Sequence, residues 1–196
     1  QEVFSLEEMI NLFDLPAVNN SAASFNGDKL AWFNQHYMQH SSLEHVAQHS
    51  SHHFSKFDVD TTVGPDFLKV VEVQRGRNKN LAELAQRSVF FYKDFDGYDP
   101  KPAKKHLKLE LAEPVAQFRE KLDKLDSWTQ EAIHGALVDV AEAAELKLGK
   151  LAQPVRIAVS GGSVSPPIDV TLWLLGREKT LARIDTMLVY LQSLSA

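Results

Sequence analysis

Pro154-Val155-Arg156-Ile157-Ala158-Val159-Ser160-Gly161 is the stretch on which the fold class turns. Val155 to Ser160 has the β-branched composition of a strand. Pro154 in front and Gly161 behind are instead the punctuation of a short helix, because proline suits a first helical turn and glycine the residue after the last one. Taken alone, the stretch leaves both readings open. Its surroundings do not share the ambiguity. No segment alternates apolar and polar residues with a period of two, whereas helical spacing recurs: Val115, Phe118, Leu122 and Leu125; Ile133, Leu137, Val140 and Ala144; Leu181, Ile184, Leu188 and Leu191. The class is all-α.

Working outward, helix starts are marked by caps. Ser5-Leu6-Glu7-Glu8 is a capping box opening a helix that ends near Asp14, and Ser127-Trp128-Thr129-Gln130 is a second one. Asn19 to Asn26 is a polar loop, after which Asp28 caps a helix from Lys29 to about Met38. Ser41-Ser42-Leu43-Glu44 starts another. Pro65 occupies a first helical turn ahead of Phe67, Leu68, Val70 and Val71. Leu81 to Tyr92 forms one helix bounded by a loop from Asp94 to Pro102, and Ile168 to Leu175 forms another, stopped by Gly176.

The chain has 196 residues, 44% hydrophobic and 24% charged, which fits a globular fold and excludes disorder as its main state. It has no cysteine, so disulfides, thiolate metal sites and thiol nucleophiles are excluded. No apolar run approaches the roughly 20 residues that cross a bilayer, and no signal-peptide pattern opens the chain. These features place it in the cytoplasm. Gln1 is not an initiator, which suggests a piece of a longer chain. The net charge of −5 is unevenly spread: residues 1–72 hold 3 Lys+Arg against 10 Asp+Glu, and the remainder holds 18 against 16. Arg75, Arg77 and Lys79, then Lys101, Lys104, Lys105 and Lys108, then Lys147, Lys150 and Arg156 form local basic clusters. Such clusters either are solvated helix faces or engage phosphates, since screening limits distant charge to about 8 Å.

Other constellations carry less. Six of the eight histidines lie between His36 and His53, and the pairs His36/His40 and His45/His49 could each chelate a metal from one helix face. Val46 stands where a zinc-protease helix needs glutamate, and no third ligand is fixed by spacing, so these histidines read as a polar helix surface and no metal is assigned. Gly161-Gly162-Ser163 lacks the spacing of a phosphate loop, and Ser163 and Ser165 stand outside any nucleophile elbow, so both are turn residues and no catalytic residue is assigned. The Arg75–Lys79 cluster precedes Phe90, Phe91 and Tyr92. Guanidinium and aromatic planes are what unstacked RNA bases require, although core packing is the simpler role for both phenylalanines.

Several runs resemble bacterial glutamyl-tRNA synthetase: Lys29-Leu30-Ala31-Trp32-Phe33-Asn34-Gln35-His36-Tyr37-Met38, Arg77-Asn78-Lys79-Asn80-Leu81 with Leu84-Ala85 and Phe90-Phe91-Tyr92, Trp128-Thr129, and Gly149-Lys150 through Gln153-Pro154-Val155-Arg156. Val159-Ser160-Gly161, Ser165-Pro166, Leu174-Leu175-Gly176-Arg177-Glu178 and Leu181-Ala182-Arg183-Ile184 resemble its C-terminal signature, so the likeness spans essentially the whole chain. Lys79-Asn80-Leu81 departs from the family's Lys-Thr-Leu, and Val159-Ser160-Gly161 from its Leu-Thr-Gly.

The resemblance implies a helix at Val155 to Ser160. It also implies an end of the stem-contact region over residues 1–40 and two helical anticodon-binding subdomains over 41–98 and 99–196. Neither the His-Ile-Gly-His-like nor the Lys-Met-Ser-Lys-like motif of class I synthetases is present, so this piece is not expected to aminoacylate. ATP and magnesium belong to a catalytic domain outside it, and no cofactor is expected within it. The implied partner is glutamate tRNA, with no DNA, no membrane and a monomeric chain.

The family's base-reading arginine falls at Arg77, with Arg75 as second choice and Lys79 beside them. Its C-terminal loop contacts fall at Ser165, Pro166 and Ile168. Lys101, Lys104, Lys105, Lys147, Lys150 and Arg156 are the expected RNA-backbone contacts. Glutamate anticodons end in U-C and glutamine anticodons in U-G. Cytosine offers acceptors on its pairing edge where guanine offers donors, and a donor-only arginine accepts the first and repels the second. A helical protein-interaction domain and a His-rich metal-binding protein are the competing classes.

Overall fold

The computed structural model describes residues 2–19, 21, 22 and 24–193, so Gln1, Asn20, Ala23, Leu194, Ser195 and Ala196, on which parts of the reading above fall, lie outside the described residues. Among the described residues all regular structure is helical: α1 (Leu6–Leu12), α2 (Gly27–His40), α3 (Leu43–Ser55), α4 (Phe67–Arg75), α5 (Leu81–Gln86), α6 (Val89–Tyr92), α7 (Pro100–His106), α8 (Ala112–Asp123), α9 (Gln130–Ala143), α10 (Leu148–Ser160), α11 (Ile168–Leu175) and α12 (Arg177–Ser193), with 3-10 turns at Leu15–Ala17 and Leu109–Leu111.

The ambiguous stretch is the second half of α10, and Pro154 stands inside this helix rather than in its first turn. Leu151, Pro154, Val155, Ile157, Ala158 and Val159 are all buried, because α10 packs against α6, α7, α8, α9, α11 and α12. A helix enclosed on most sides loses its polar face, and so its composition mimics that of a strand. Gly161 ends it at φ 75°, a left-handed conformation that glycine adopts without steric cost.

Several caps differ from expectation by a residue or two. The Ser5 capping box forms, with Glu8 N–H on Ser5 Oγ at 3.1 Å and Ser5 N–H on Glu8 Oε2 at 2.7 Å. α3 starts within the Ser41–Glu44 stretch, with Ser42 as its cap. Asn26, not Asp28, caps α2, and the helix runs on to His40. Asp66 caps α4, leaving Pro65 outside it. Thr129, not Ser127, caps α9, because the Trp128 indole is held by a 3.1 Å bond to the Leu172 carbonyl in α11 and the helix begins after it. The Leu81–Tyr92 helix is broken into α5 and α6 where the buried Ser88 hydroxyl bonds the Leu84 carbonyl at 2.7 Å and Gln74 bonds the Arg87 carbonyl at 3.1 Å. The Asp94–Pro102 loop is shorter than expected, since α7 begins at Pro100.

Two hydrophobic cores result. Met38, Val46, Ala47, Phe54, Val71, Leu84 and Ala85 form the smaller one between α2, α3, α4 and α5. The larger joins α7 to α12, with Ile133, Ala136, Leu137, Val140 and Ala141 as the inner stripe of α9, and Leu181, Ile184, Met187 and Leu191 as that of α12. Met187 rather than Leu188 completes the α12 stripe. Neighbouring residues on a helix point about 100° apart, so Val70 enters the large core while Val71 enters the small one, and α4 with Phe90 and Phe91 of α6 couples the two.

Arg183 of α12, only 7% exposed, fastens this coupling. It donates to the carbonyls of Phe90 (2.9 Å), Lys93 (3.2 Å) and Val159, and to Asp94 Oδ1 (2.8 Å), with its guanidinium 4.9 Å from the Phe95 ring centre. Among the described residues no helix is long and apolar enough to cross a membrane.

Candidate functional site

The turn from Arg75 to Asn80 and the loop from Gly161 to Pro167 meet at one cleft. Asn78 is buried, and its amide donates to the Gln74 carbonyl at 2.8 Å, which turns the chain so that Arg77 is exposed. Arg75 points elsewhere and donates to the Ser41 carbonyl at 2.9 Å, tying α4 to the α2–α3 junction. Gln35 and Gln39, on one face of α2, both donate to the Gly76 carbonyl, at 3.2 and 3.3 Å, and hold the base of the turn to that helix.

On the opposite wall, the loop leaves α10 at Gly161. Its carbonyl accepts from Asp99 N–H at 2.8 Å, and a Cβ there would meet the Phe95 ring at 3.3 Å. Ser160 Oγ lies 3.0 Å from the Gly162 carbonyl. Ser165, Pro166 and Ile168 are buried. The Ser165 hydroxyl is committed within the protein, at 2.8 Å from the Pro166 carbonyl and 3.0 Å from Thr171 Oγ1, with Arg156 Nη1 also on it. These three residues therefore shape the loop from inside. The rim is made by Ser163, Val164 and Pro167, and Val164 is 57% exposed.

Two guanidiniums converge on this loop. Arg77 Nη2 donates to the Ser165 carbonyl at 3.0 Å, and Arg156 Nη1 donates to the same oxygen at 3.1 Å and to the Pro166 carbonyl at 2.7 Å. Arg156 Nε is held by Gln153 Oε1 at 2.9 Å. Neither arginine forms an ion pair with a described carboxylate. Burial, and then the charge of Arg77, push the Arg156 pKa down, with Asp169 partly opposing. The cleft is thus a donor-rich, positively charged recess lined by Arg77, Gln153, Arg156, Val164 and Pro167. It suits an acceptor-rich, anionic ligand.

Arg156, expected at the RNA backbone, thus shares the cleft with Arg77, and sequence reasoning missed Gln153 and Val164. The spacing of Gln153 and Arg156, three apart on one helix, was the available signal. Lys79 is exposed, and its N–H bonds Glu83 Oε2 at 2.8 Å. Lys101, Lys104 and Lys105 lie exposed on α7, while Lys147 and Lys150 lie exposed at the start of α10, the end remote from Arg156. None of these five is paired with a described carboxylate. The histidines stack in pairs, His36 on His40 with ring centres 4.1 Å apart and His45 on His49 at 4.3 Å. The second ring of each pair places Nδ1 on the carbonyl of the first residue, at 2.7 and 2.9 Å. Among the described residues no three His, Cys, Asp or Glu side chains are grouped to hold a metal ion.

Comparison with known proteins sets this cleft in context. Residues 36–188 match the family model described as an anticodon binding domain. The chain is similar to a glutamate–tRNA ligase of Alkalilimnicola ehrlichii, 48% identical over 196 residues, covering 100% of this chain and 42% of the relative. It is also similar to one of Nitrosococcus oceani, 46% identical over 191 residues, covering 97% and 41%. The crystal structure of a glutamate tRNA ligase from Elizabethkingia meningosepticum in complex with its amino acid superposes with a TM-score of 0.87 at 28% identity, covering 97% of this chain and 38% of that one. The chain therefore spans about two fifths of the length of the relatives it matches.

Proposed function

This chain belongs to the anticodon-binding domain family, and from that membership we propose that it reads the anticodon loop of a glutamate tRNA for a ligase whose catalytic part lies outside these 196 residues. The observation that carries the proposal is the convergence of Arg77 and Arg156 on the Ser165 carbonyl. One N–H of Arg77 holds the loop, and the rest of its exposed donor fork faces the cleft. A cytosine edge, with O2 and N3 as acceptors, satisfies such a fork, whereas a guanine edge presents N1–H and N2–H₂ against it. Arg156 holds the loop from below, so that the recess keeps its shape before RNA arrives.

In this reading Ser165, Pro166 and Ile168 position backbone, Val164 and Pro167 meet the bases, and Arg75 supports the turn that carries Arg77 and Lys79. Lys101, Lys104, Lys105, Lys147 and Lys150 follow phosphates. ATP, magnesium and the ligation itself are assigned to the part outside this chain, and the setting is the cytoplasm with a monomeric chain. Leu6, Ile10, Phe13 and Phe25, exposed in the first forty residues, favour a protein contact there as a second role for that segment.

Filter binding tests the proposal, with glutamate tRNA and a tRNA of unrelated anticodon titrated at one salt concentration. A preference of tenfold or more for the glutamate tRNA is expected, and equal affinities contradict it. The same protein should release no pyrophosphate from ATP, glutamate and tRNA.

A further inference from the structure

A second groove runs between α7 and α12, with a volume of about 670 Å³. That is within the roughly 300–1,000 Å³ of sites that hold a small molecule. Its walls are Tyr98 and Tyr190, whose rings meet edge to face at 5.3 Å, with Pro100 and the half-exposed Leu109. Its rim carries Lys104 and Lys108, both exposed. Neither lysine is paired with a described carboxylate, and no aspartate or glutamate lines the groove. Neither phenol hydroxyl has a hydrogen-bond partner among the described residues. Aromatic faces beside unpaired ammonium groups are the combination that single-stranded RNA binding uses, a base on the ring and a phosphate on the cation. The floor is the buried Ala103 and Leu107, and the charge of the rim, two lysines and no carboxylate, favours a phosphate-bearing occupant.

Position adds a second argument. Tyr98 is followed by Asp99, whose N–H holds the Gly161 carbonyl at 2.8 Å, and Gly161 opens the loop that forms one wall of the arginine cleft. The segment that carries Tyr98 into the groove is therefore tied by one hydrogen bond to the start of the loop that walls the cleft.

We infer that the α7–α12 groove is a second RNA subsite, which takes one unpaired nucleotide of the same RNA with its base against Tyr98, Tyr190 and Leu109 and its phosphate on Lys104 and Lys108. This inference rests on the anticodon-loop reading given above. It differs from a line of phosphate contacts, because it requires an aromatic face as well as charge.

Anisotropy titrations of end-labelled glutamate tRNA across a range of salt, on the unaltered chain and on Lys108→Gln, Tyr190→Leu and Tyr190→Phe, test it. Lys108→Gln is expected to reduce the log–log salt slope by about 0.7. Tyr190→Leu is expected to weaken binding about fivefold or more, while Tyr190→Phe, which keeps the ring, stays within about twofold. Lys108 is exposed and Lys108→Gln should fold, so unchanged affinity and slope in that variant overturn the groove while leaving the arginine cleft intact. No tRNA binding by the unaltered chain overturns the anticodon-loop reading and this inference with it. Polyglutamate that competes with RNA on the unaltered chain but not on Tyr190→Leu also overturns the inference, by assigning the groove to an acidic peptide.

Discussion

Arg77 and Ser165 are 88 positions apart in the chain and are joined by a 3.0 Å hydrogen bond from the guanidinium to the Ser165 carbonyl. This contact closes the recess between the two helical cores. It makes Arg77 both a wall of the site and a donor within it, so variants there report on loop position as well as base choice.

Arg183 should dominate the stability of the junction. Its removal leaves the Phe90, Lys93 and Val159 carbonyls without their donor, and Arg183→Met should cost about 3–5 kcal/mol in urea unfolding. Asp94→Asn should cost less than about 1 kcal/mol, because the carboxylate is exposed. The bond from Arg183 holds the Asp94 carboxyl below the ordinary aspartate value of 3.8. A lowered folded value stabilises above the unfolded one and fades as pH falls through the folded one. The difference between Asp94→Asn and the unaltered protein should therefore persist above about pH 3.8 and vanish in stronger acid.

Tyr92 makes the opposite prediction. Its hydroxyl is buried without a partner among the described residues, and burial pushes its pKa up, while its ring packs edge-on against Phe54 at 5.9 Å. Tyr92→Phe removes the unsatisfied group and keeps the ring. Unfolding in urea should show unchanged stability or a gain of up to about 1 kcal/mol, and a loss of more than that contradicts the burial of an orphan hydroxyl.

Gly161→Ala should act on both stability and binding. A φ of 75° costs an L-residue about 1–2 kcal/mol, and the added methyl meets Phe95 at 3.3 Å. Because Gly161 also fixes the start of the 161–167 loop, its variant should bind glutamate tRNA more weakly under conditions where it remains folded. Loss of stability with unchanged affinity would separate the loop from the site.

How much of this was legible beforehand varied with physical cause. The stripe of Ile133, Leu137 and Val140 was plain because α9 exposes one face to water and buries the other, whereas Ala144 caps the helix and Ala141 takes the place expected for it. Val155 to Ser160 was not, because burial on most sides removed the polar face that marks a helix. Cap positions slipped where two capping residues lie close together, as with Asn26 and Asp28, since either side chain can serve and tertiary contacts decide. Arg77 was found through the resemblance of its surrounding run. Its convergence with Arg156 on the Ser165 carbonyl was not, because nothing local to Arg77 encodes a contact with a residue 88 positions on. Ser165 was named as a loop contact from the resemblance alone, and the inward turn of its hydroxyl toward Thr171, six residues on, had no signal in the sequence.

The most direct test of the central claim is the ratio of affinities for glutamate tRNA and for its C-to-G variant at the third anticodon base, measured for the unaltered chain, Arg77→Gln and Arg75→Gln. Glutamine keeps a donor and adds an acceptor, so its amide can match either base. Both variants lose a loop or turn contact, so a fall in overall affinity does not discriminate between them and the ratio does. The account predicts that Arg77→Gln narrows the ratio by about 1–3 kcal/mol while Arg75→Gln leaves it unchanged. A ratio that survives Arg77→Gln, with both RNAs weakened equally, contradicts it.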